Sequence, residues 1–178
     1  MTPLTHARRL HAGLTAFAAR WIAPDALPLL ARLTLAGVFW RSLLTKVSTV
    51  KLFTYTELIN DFEVERSRLR LPELPLELKA AAMQQFRGDF ALPLLPPDLA
   101  AWMATLAELV LPVLLVLGIL TRISALALVG MTLVIQVFVY PEAWWATHAL
   151  WVVIGLYIAV TGPGRISIDH QAARFFAR

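Results

Sequence analysis

Residues 99–120 read LAAWMATLAELVLPVLLVLGIL, and the fold follows from them. Twenty-two residues at about 1.5 Å of rise each make a helix long enough to cross a lipid bilayer. One residue breaks the pattern: Glu108 lies in the middle of the run. An ionisable group at that depth costs on the order of 2.5–3.5 kcal/mol by insertion scales, which marks it as a candidate functional residue in need of a partner.

Working outward, three more segments have the same character: about 26–47, 123–140 and 143–161. The expected architecture is an all-α bundle of four transmembrane helices in one domain. Physical breaks separate them. Thr121–Arg122 places a charge between the second and third spans, and Pro141–Glu142 ends the third because proline has no N–H to donate. Gly162-Pro163-Gly164 stops the fourth and opens a tail, 162–178. The whole chain agrees: 58% of residues are hydrophobic, 16% charged, and mean hydropathy is +0.67, against about 25% charged in soluble domains.

The net charge of +4 does not indicate nucleic acid, because the basic residues stand singly beside apolar spans, as juxtamembrane Lys and Arg do. There is no cysteine, which removes thiol exchange, Cys-ligated zinc and iron–sulfur clusters from this chain's own chemistry. His6, His11, His148 and His170 share no helix face, so no metal site is expected. No P-loop and no glycine-rich dinucleotide fingerprint occurs. Near the start, Leu10, Leu14, Phe17 and Trp21 fall on one helical face. This reads as an amphipathic helix lying on the membrane surface, with a mitochondrial presequence as the alternative.

The long connection, 48–98, should carry structure of its own. Lys51–Leu71 and Leu76–Phe86 read as helical, separated by Pro72–Pro75. Pro93, Pro96 and Pro97 lead stiffly into the second span, with Asp98 as its N-cap. In this connection the acids (Glu57, Asp61, Glu63, Glu65, Glu73, Glu77, Asp89, Asp98) outnumber the bases. Arg8, Arg9, Arg20, Arg122, Arg165, Arg174 and Arg178 fall on the other side. By the positive-inside rule both termini are cytoplasmic and the connection lies outside.

Arg41 on the first span comes out at about the depth of Glu108, roughly 10–13 Å below the outer surface at 1.5 Å per residue. Gln136 and His148 come out somewhat shallower. Thr34, Gly37, Arg41, Thr45 and Ser48, then Thr105, Glu108 and Pro112, then Thr132, Gln136 and Tyr140, and last His148, Trp151 and Gly155, form small or polar stripes that should face the bundle interior. Pro112 has no N–H for the Glu108 carbonyl and should kink the span. An Arg41–Glu108 pair can serve either as a bundle lock or in ligand and proton handling. Lys46 and Arg32 lie near span ends and are expected to snorkel to the interface.

The runs Leu94-Leu95-Pro96-Pro97-Asp98, Ala107-Glu108-Leu109, Leu117-Gly118-Ile119-Leu120-Thr121-Arg122 and Gly130–Pro141, with His148, Trp151 and the closing Gly162–His170, resemble the DoxX family over about residues 27–170. Thr54–Met83 is longer than that pattern. The resemblance implies a four-helix inner-membrane protein of bacteria linked to quinone. It would be a subunit of a quinone-dependent oxidoreductase or an anchor for redox enzymes, working with protein partners; whether it is a homo-oligomer is left open by the sequence. It carries over Glu108, Arg122, Gln136, His148, Ser167 and Asp169, with Arg41 or Lys46 as the basic group of the first span. On that reading Arg41 or His148 would donate to a quinone carbonyl, Glu108 would relay a proton, and Trp102, Trp144 and Trp151 would stack on the ring. Arg122, Ser167 and Asp169 would close the cytoplasmic face, the two last as caps and Asp169 within reach of Arg122. A non-catalytic scaffold or receptor for a soluble partner or lipophilic ligand is the alternative, and a small transporter ranks below both.

Overall fold

Along the second and third membrane-length helices polar side chains turn inward and many apolar ones outward, whereas the first buries Leu35, Ala36, Phe39 and Leu43 and leaves Thr34, Gly37, Arg41 and Thr45, expected to face the interior, exposed. In the second of them, Ala101, Thr105, Glu108, Pro112 and Leu115 are buried, at alternating steps of four and three, while Met103, Leu106, Val110, Val113 and Val116 are exposed. In the third, Ser124 and Thr132 are buried, whereas Ile123, Leu126, Leu133 and Val137 are exposed. In water this arrangement would be inverted; in lipid it is the stable one, because only the interior offers polar groups a partner.

The computed structural model describes residues 11–59 and 62–177. Among them, four helices are long and apolar enough to cross a membrane. Residues 11–17 are helical and continue through a π-helical stretch, Ala18–Ala26, into α1, Leu27–Lys46. The amphipathic segment expected near the start is thus helical where it is described, with Leu14 and Phe17 exposed; Leu10 lies outside the described residues. A short helix α2 spans Ala80–Arg87, and α3 spans Pro97–Leu117, running on through Pro112. Helix α4 spans Thr121–Phe138. A 3-10 turn, Pro141–Ala143, and a π turn, Trp144–His148, lead into α5, Ala149–Thr161. The tail forms α6, Ile168–Phe176. The four expected spans are present, with ends shifted by a few residues.

The connection departs from the expected helix. Thr49–Ile59 and Phe62–Pro72 are strands β1 and β2 of an antiparallel hairpin, pairing from Thr49 with Pro72 to Ile59 with Phe62. The cause is compositional. Val50, Phe53, Thr54, Tyr55, Thr56 and Val64 are β-branched or aromatic and favour pleated backbone over helix. Only the second expected helix survives, as α2.

The chain divides into two compact units, Val38–Leu109 and the remainder, with boundaries inside α1 and α3. In the first unit, Phe86 packs with Ala100 and Ala101, and Leu78, Met83, Phe90 and Leu95 close around them. Asp98 is not the N-cap but lies in the first turn of α3, where Arg87 Nε donates to its carboxylate at 3.0 Å. In the other unit, α4 and α5 approach closely at Gly155, where a Cβ would stand 2.4 Å from a methyl of Val129.

Gly118 makes the break between α3 and α4. Its φ is +71°, and an added Cβ would lie 2.4 Å from Arg32 Nη1 and 2.5 Å from Ser167 Cβ. Gly118→Ala should therefore lower stability by about 1–3 kcal/mol, the usual cost of a strained backbone position, with the clash in addition. Thermal unfolding of the purified protein in detergent checks this, with Gly130→Ala as control because nothing lies within 4 Å of that position.

Candidate functional site

Glu108 is 1% exposed, and its partner is Lys46. Lys46 Nζ donates to Oε1 and Oε2 of Glu108, both at 2.7 Å, and to Ser42 Oγ at 2.8 Å. The three N–H bonds of the ammonium are thus all engaged. Arg41, the expected partner, is exposed. Helix geometry explains the exchange. Ser42 and Lys46 are one turn apart and share a face, while Arg41 is rotated by about 100° from Ser42. Lys46 also does not snorkel: its side chain is only 12% exposed. Helical side chains lean toward the N-terminus of their helix. From the C-terminal end of α1, that lean carries the ammonium back into the span.

The end of α1 is held in place from the connection. Lys79 Nζ donates to the carbonyls of Leu44 and Thr45 at 3.1 and 3.3 Å, and Lys79 N to that of Lys46 at 2.8 Å. These carbonyls are left open by the helix end. Ser42 and Lys79 were not singled out by sequence. The Ser42–Lys46 spacing of one turn was the available signal for the first; nothing local marked the second.

A second constellation lies on α4 and the turn before α5. His148 is 3% exposed, and its Nδ1 lies 2.6 Å from Gln136 Oε1. Gln136 Nε2 donates to the Pro141 carbonyl at 2.6 Å. Trp151 lies against the His148 ring, with centroids 5.1 Å apart. Trp144 instead meets Trp145 edge to face at 6.5 Å, and Trp102 is exposed. Of the three tryptophans expected to stack on a bound ring, Trp151 lies against the expected site residue His148.

The tail carries the third group. Asp169 accepts from Leu120 N, Thr121 N and Thr121 Oγ1 at 3.0, 2.9 and 2.8 Å, and its own N–H donates to the Gly118 carbonyl at 2.8 Å. It therefore caps the start of α4 rather than its own helix, and places its charge at the positive end of that helix. Ser167 does cap its own helix, accepting from His170 N at 3.1 Å. Arg122 does not meet Asp169; it donates to the Ala159 carbonyl at 3.0 Å. Arg32 is fully buried instead of snorkelling, and donates to the carbonyls of Leu115, at 3.1 Å, and Ile166. Among the described residues no group of His, Asp and Glu is arranged to hold a metal ion.

Glu108, Thr105 and the Asp169-capped turn fall in or beside a region that a family model described as DoxX matches, residues 27–141. The chain belongs to the DoxX family. The match takes in α1, the connection, α3 and α4. A DoxX-family membership makes this an integral membrane protein and accounts for the four apolar helices. A protein of Haemophilus influenzae (strain ATCC 51907 / DSM 11121 / KW20 / Rd), described as uncharacterized, is 34% identical over 100 residues, which is 48% of this chain and 61% of that protein. The chain thus spans about three fifths of that relative's length. No solved structure matches.

In this DoxX-family protein, removing one member of the Lys46–Glu108 pair leaves an uncompensated buried charge, which costs about 3–5 kcal/mol. Lys46→Met should therefore destabilise strongly. The double variant Lys46→Met with Glu108→Leu should recover most of the loss, and Arg41→Ala should stay within about 0.5 kcal/mol of wild type. Chemical or thermal unfolding of all four proteins in one detergent tests the set. Equal effects of Lys46→Met and Arg41→Ala would contradict the pairing.

Proposed function

We propose that this protein is the membrane subunit of a quinone-linked redox system in a bacterial inner membrane, with both termini in the cytoplasm. The observation that carries the reading is the buried Lys46–Glu108 pair. A charged pair among apolar helices contributes little to stability relative to well-packed hydrophobic residues, so its chemistry is the better reason for its presence. A quinone head group reaches such a place laterally through lipid. Its carbonyl can replace one acceptor of the Lys46 ammonium without adding net charge. The Glu108 oxygen released by that exchange is then a proton acceptor for the reduced head group. Electrons would come from a partner protein, since no thiol is available in the chain.

Titration of decylbenzoquinone into the purified protein in lipid nanodiscs tests this. Saturable binding is expected, weakened about tenfold or more by Glu108→Gln, a loss equivalent to one charge-assisted hydrogen bond. No saturable binding, or binding indifferent to Glu108→Gln, would overturn it.

A second reading, an anchor for a soluble partner, is favoured by the hairpin. Phe53, Leu58 and Phe62 are all more than 70% exposed there, and a lone two-stranded hairpin is at best marginally stable in water. Co-purifying partners that persist when residues 50–71 are replaced by a Gly/Ser linker would rule out the hairpin as their anchor.

A further inference from the structure

Gln136 joins two groups whose hydrogen-bonding abilities differ. Its Nε2 donates to the Pro141 carbonyl, and a carbonyl oxygen can only accept. The amide is therefore oriented with nitrogen toward Pro141 and oxygen toward His148. That oxygen in turn can only accept, and it lies 2.6 Å from His148 Nδ1. Nδ1 must carry the proton. In the neutral imidazole, Nε2 is then a bare lone pair, and among the described residues no hydrogen bond to it is found. The side chain that bears it is 97% buried, by its 3% exposure, with the Trp151 ring alongside. Nε2 is not itself a buried orphan, since among the described residues Arg32 Nε alone is buried without a partner; the Nε2 lone pair is open to a ligand hydroxyl.

We propose that His148 Nε2 is the acceptor of a ligand-binding site for a lipid-soluble aromatic hydroxyl compound, with Gln136 as the residue that sets its tautomer. The flat Trp151 ring suits an aromatic head group, and the membrane-length helix that bears His148 suits an apolar one. Resting on the quinone-linked reading above, this names the reduced hydroquinone rather than the quinone as the form held at His148. A quinone carbonyl offers no proton to a lone pair; a hydroquinone hydroxyl does. The inference differs from the sequence expectation that His148 donates to a quinone carbonyl, because Gln136 already occupies its one N–H.

The test has two arms, both at pH 8, where an ordinary histidine of pKa near 6.5 is neutral. The first is 15N NMR of histidine-labelled full-length protein in nanodiscs, with His148 assigned by its disappearance in His148→Phe. The expected pattern is a protonated Nδ1 and an unprotonated Nε2, turning to a mixture of tautomers in Gln136→Leu. The second arm compares decylhydroquinone, under anaerobic conditions, with decylbenzoquinone. The hydroquinone should bind about five- to tenfold more tightly, the size of one hydrogen bond. That preference should vanish in His148→Phe and Gln136→Leu and be partly retained in His148→Gln, which keeps an acceptor. A proton on Nε2 in wild type, or a preference unchanged in both variants, overturns the inference. A His148-dependent preference with no effect of Glu108→Gln overturns the Lys46–Glu108 reading alone. Failure of both ligands to bind overturns both.

Discussion

Hydrocarbon offers no hydrogen bonds, so polar groups within the spans turn to partners inside the protein. Much of this structure follows from that constraint. It turns Thr105, Glu108, Ser124 and Thr132 inward and leaves Leu106, Val110, Val113, Leu126 and Leu133 on the outside. It also bends Lys46 back along its own helix onto Glu108, where an ordinary surface lysine would reach for water. Thr105 and Thr132 satisfy their hydroxyls on the carbonyl one turn back, at 2.8 Å in each case, so they add polarity to the interior without needing another helix.

The two buried cations solve the same problem differently, and their shapes explain how. The Lys46 ammonium is a compact point charge with three donors, and it takes both carboxylate oxygens and a hydroxyl. The Arg32 guanidinium is a planar fork. Its two outer nitrogens reach carbonyls at the end of α3 and at the tail: that of Leu115, which also accepts from Gly118 N at 3.2 Å, and that of Ile166. Arg32, Gly118, Ser167 and Asp169 thereby tie the tail to the α3–α4 turn. Ion pairing plays its part in the first case and backbone satisfaction in the second.

The hairpin shows what a different solvent permits. Outside the spans, exposed backbone can be hydrated, and an eleven-residue strand pair is possible where lipid would forbid its open edges. Lys51 with Glu65 and Arg66 with Glu57 decorate it with exposed ion pairs, which contribute little to stability. Its exposed aromatic and aliphatic side chains set it apart from an ordinary solvated connection.

Hydropathy and the helix-breaking residues Pro141, Gly162, Pro163 and Gly164 determined the four spans, because the length of an apolar run and the chemistry of its ends are local properties. The burial of Glu108 was legible for the same reason: an acid flanked by leucines in a span must turn inward. Strand alternation and β-branched residues over 49–72 were also local, but they compete with charge spacings that suit an exposed helix equally well, and pairing between the two successive runs is what decides between them. Partner choice was not local at all. Arg41 and Lys46 lie at similar sequence distance from the answer, and only helix phase and the lean of the side chain bring one of them to Glu108. In the same way, a proline carbonyl five residues along orients Gln136, and Gln136 assigns the proton of His148. Asp169 reads as the cap of its own helix and serves instead as the cap of another, since a carboxylate goes to whichever unpaired N–H groups the tertiary structure brings within reach.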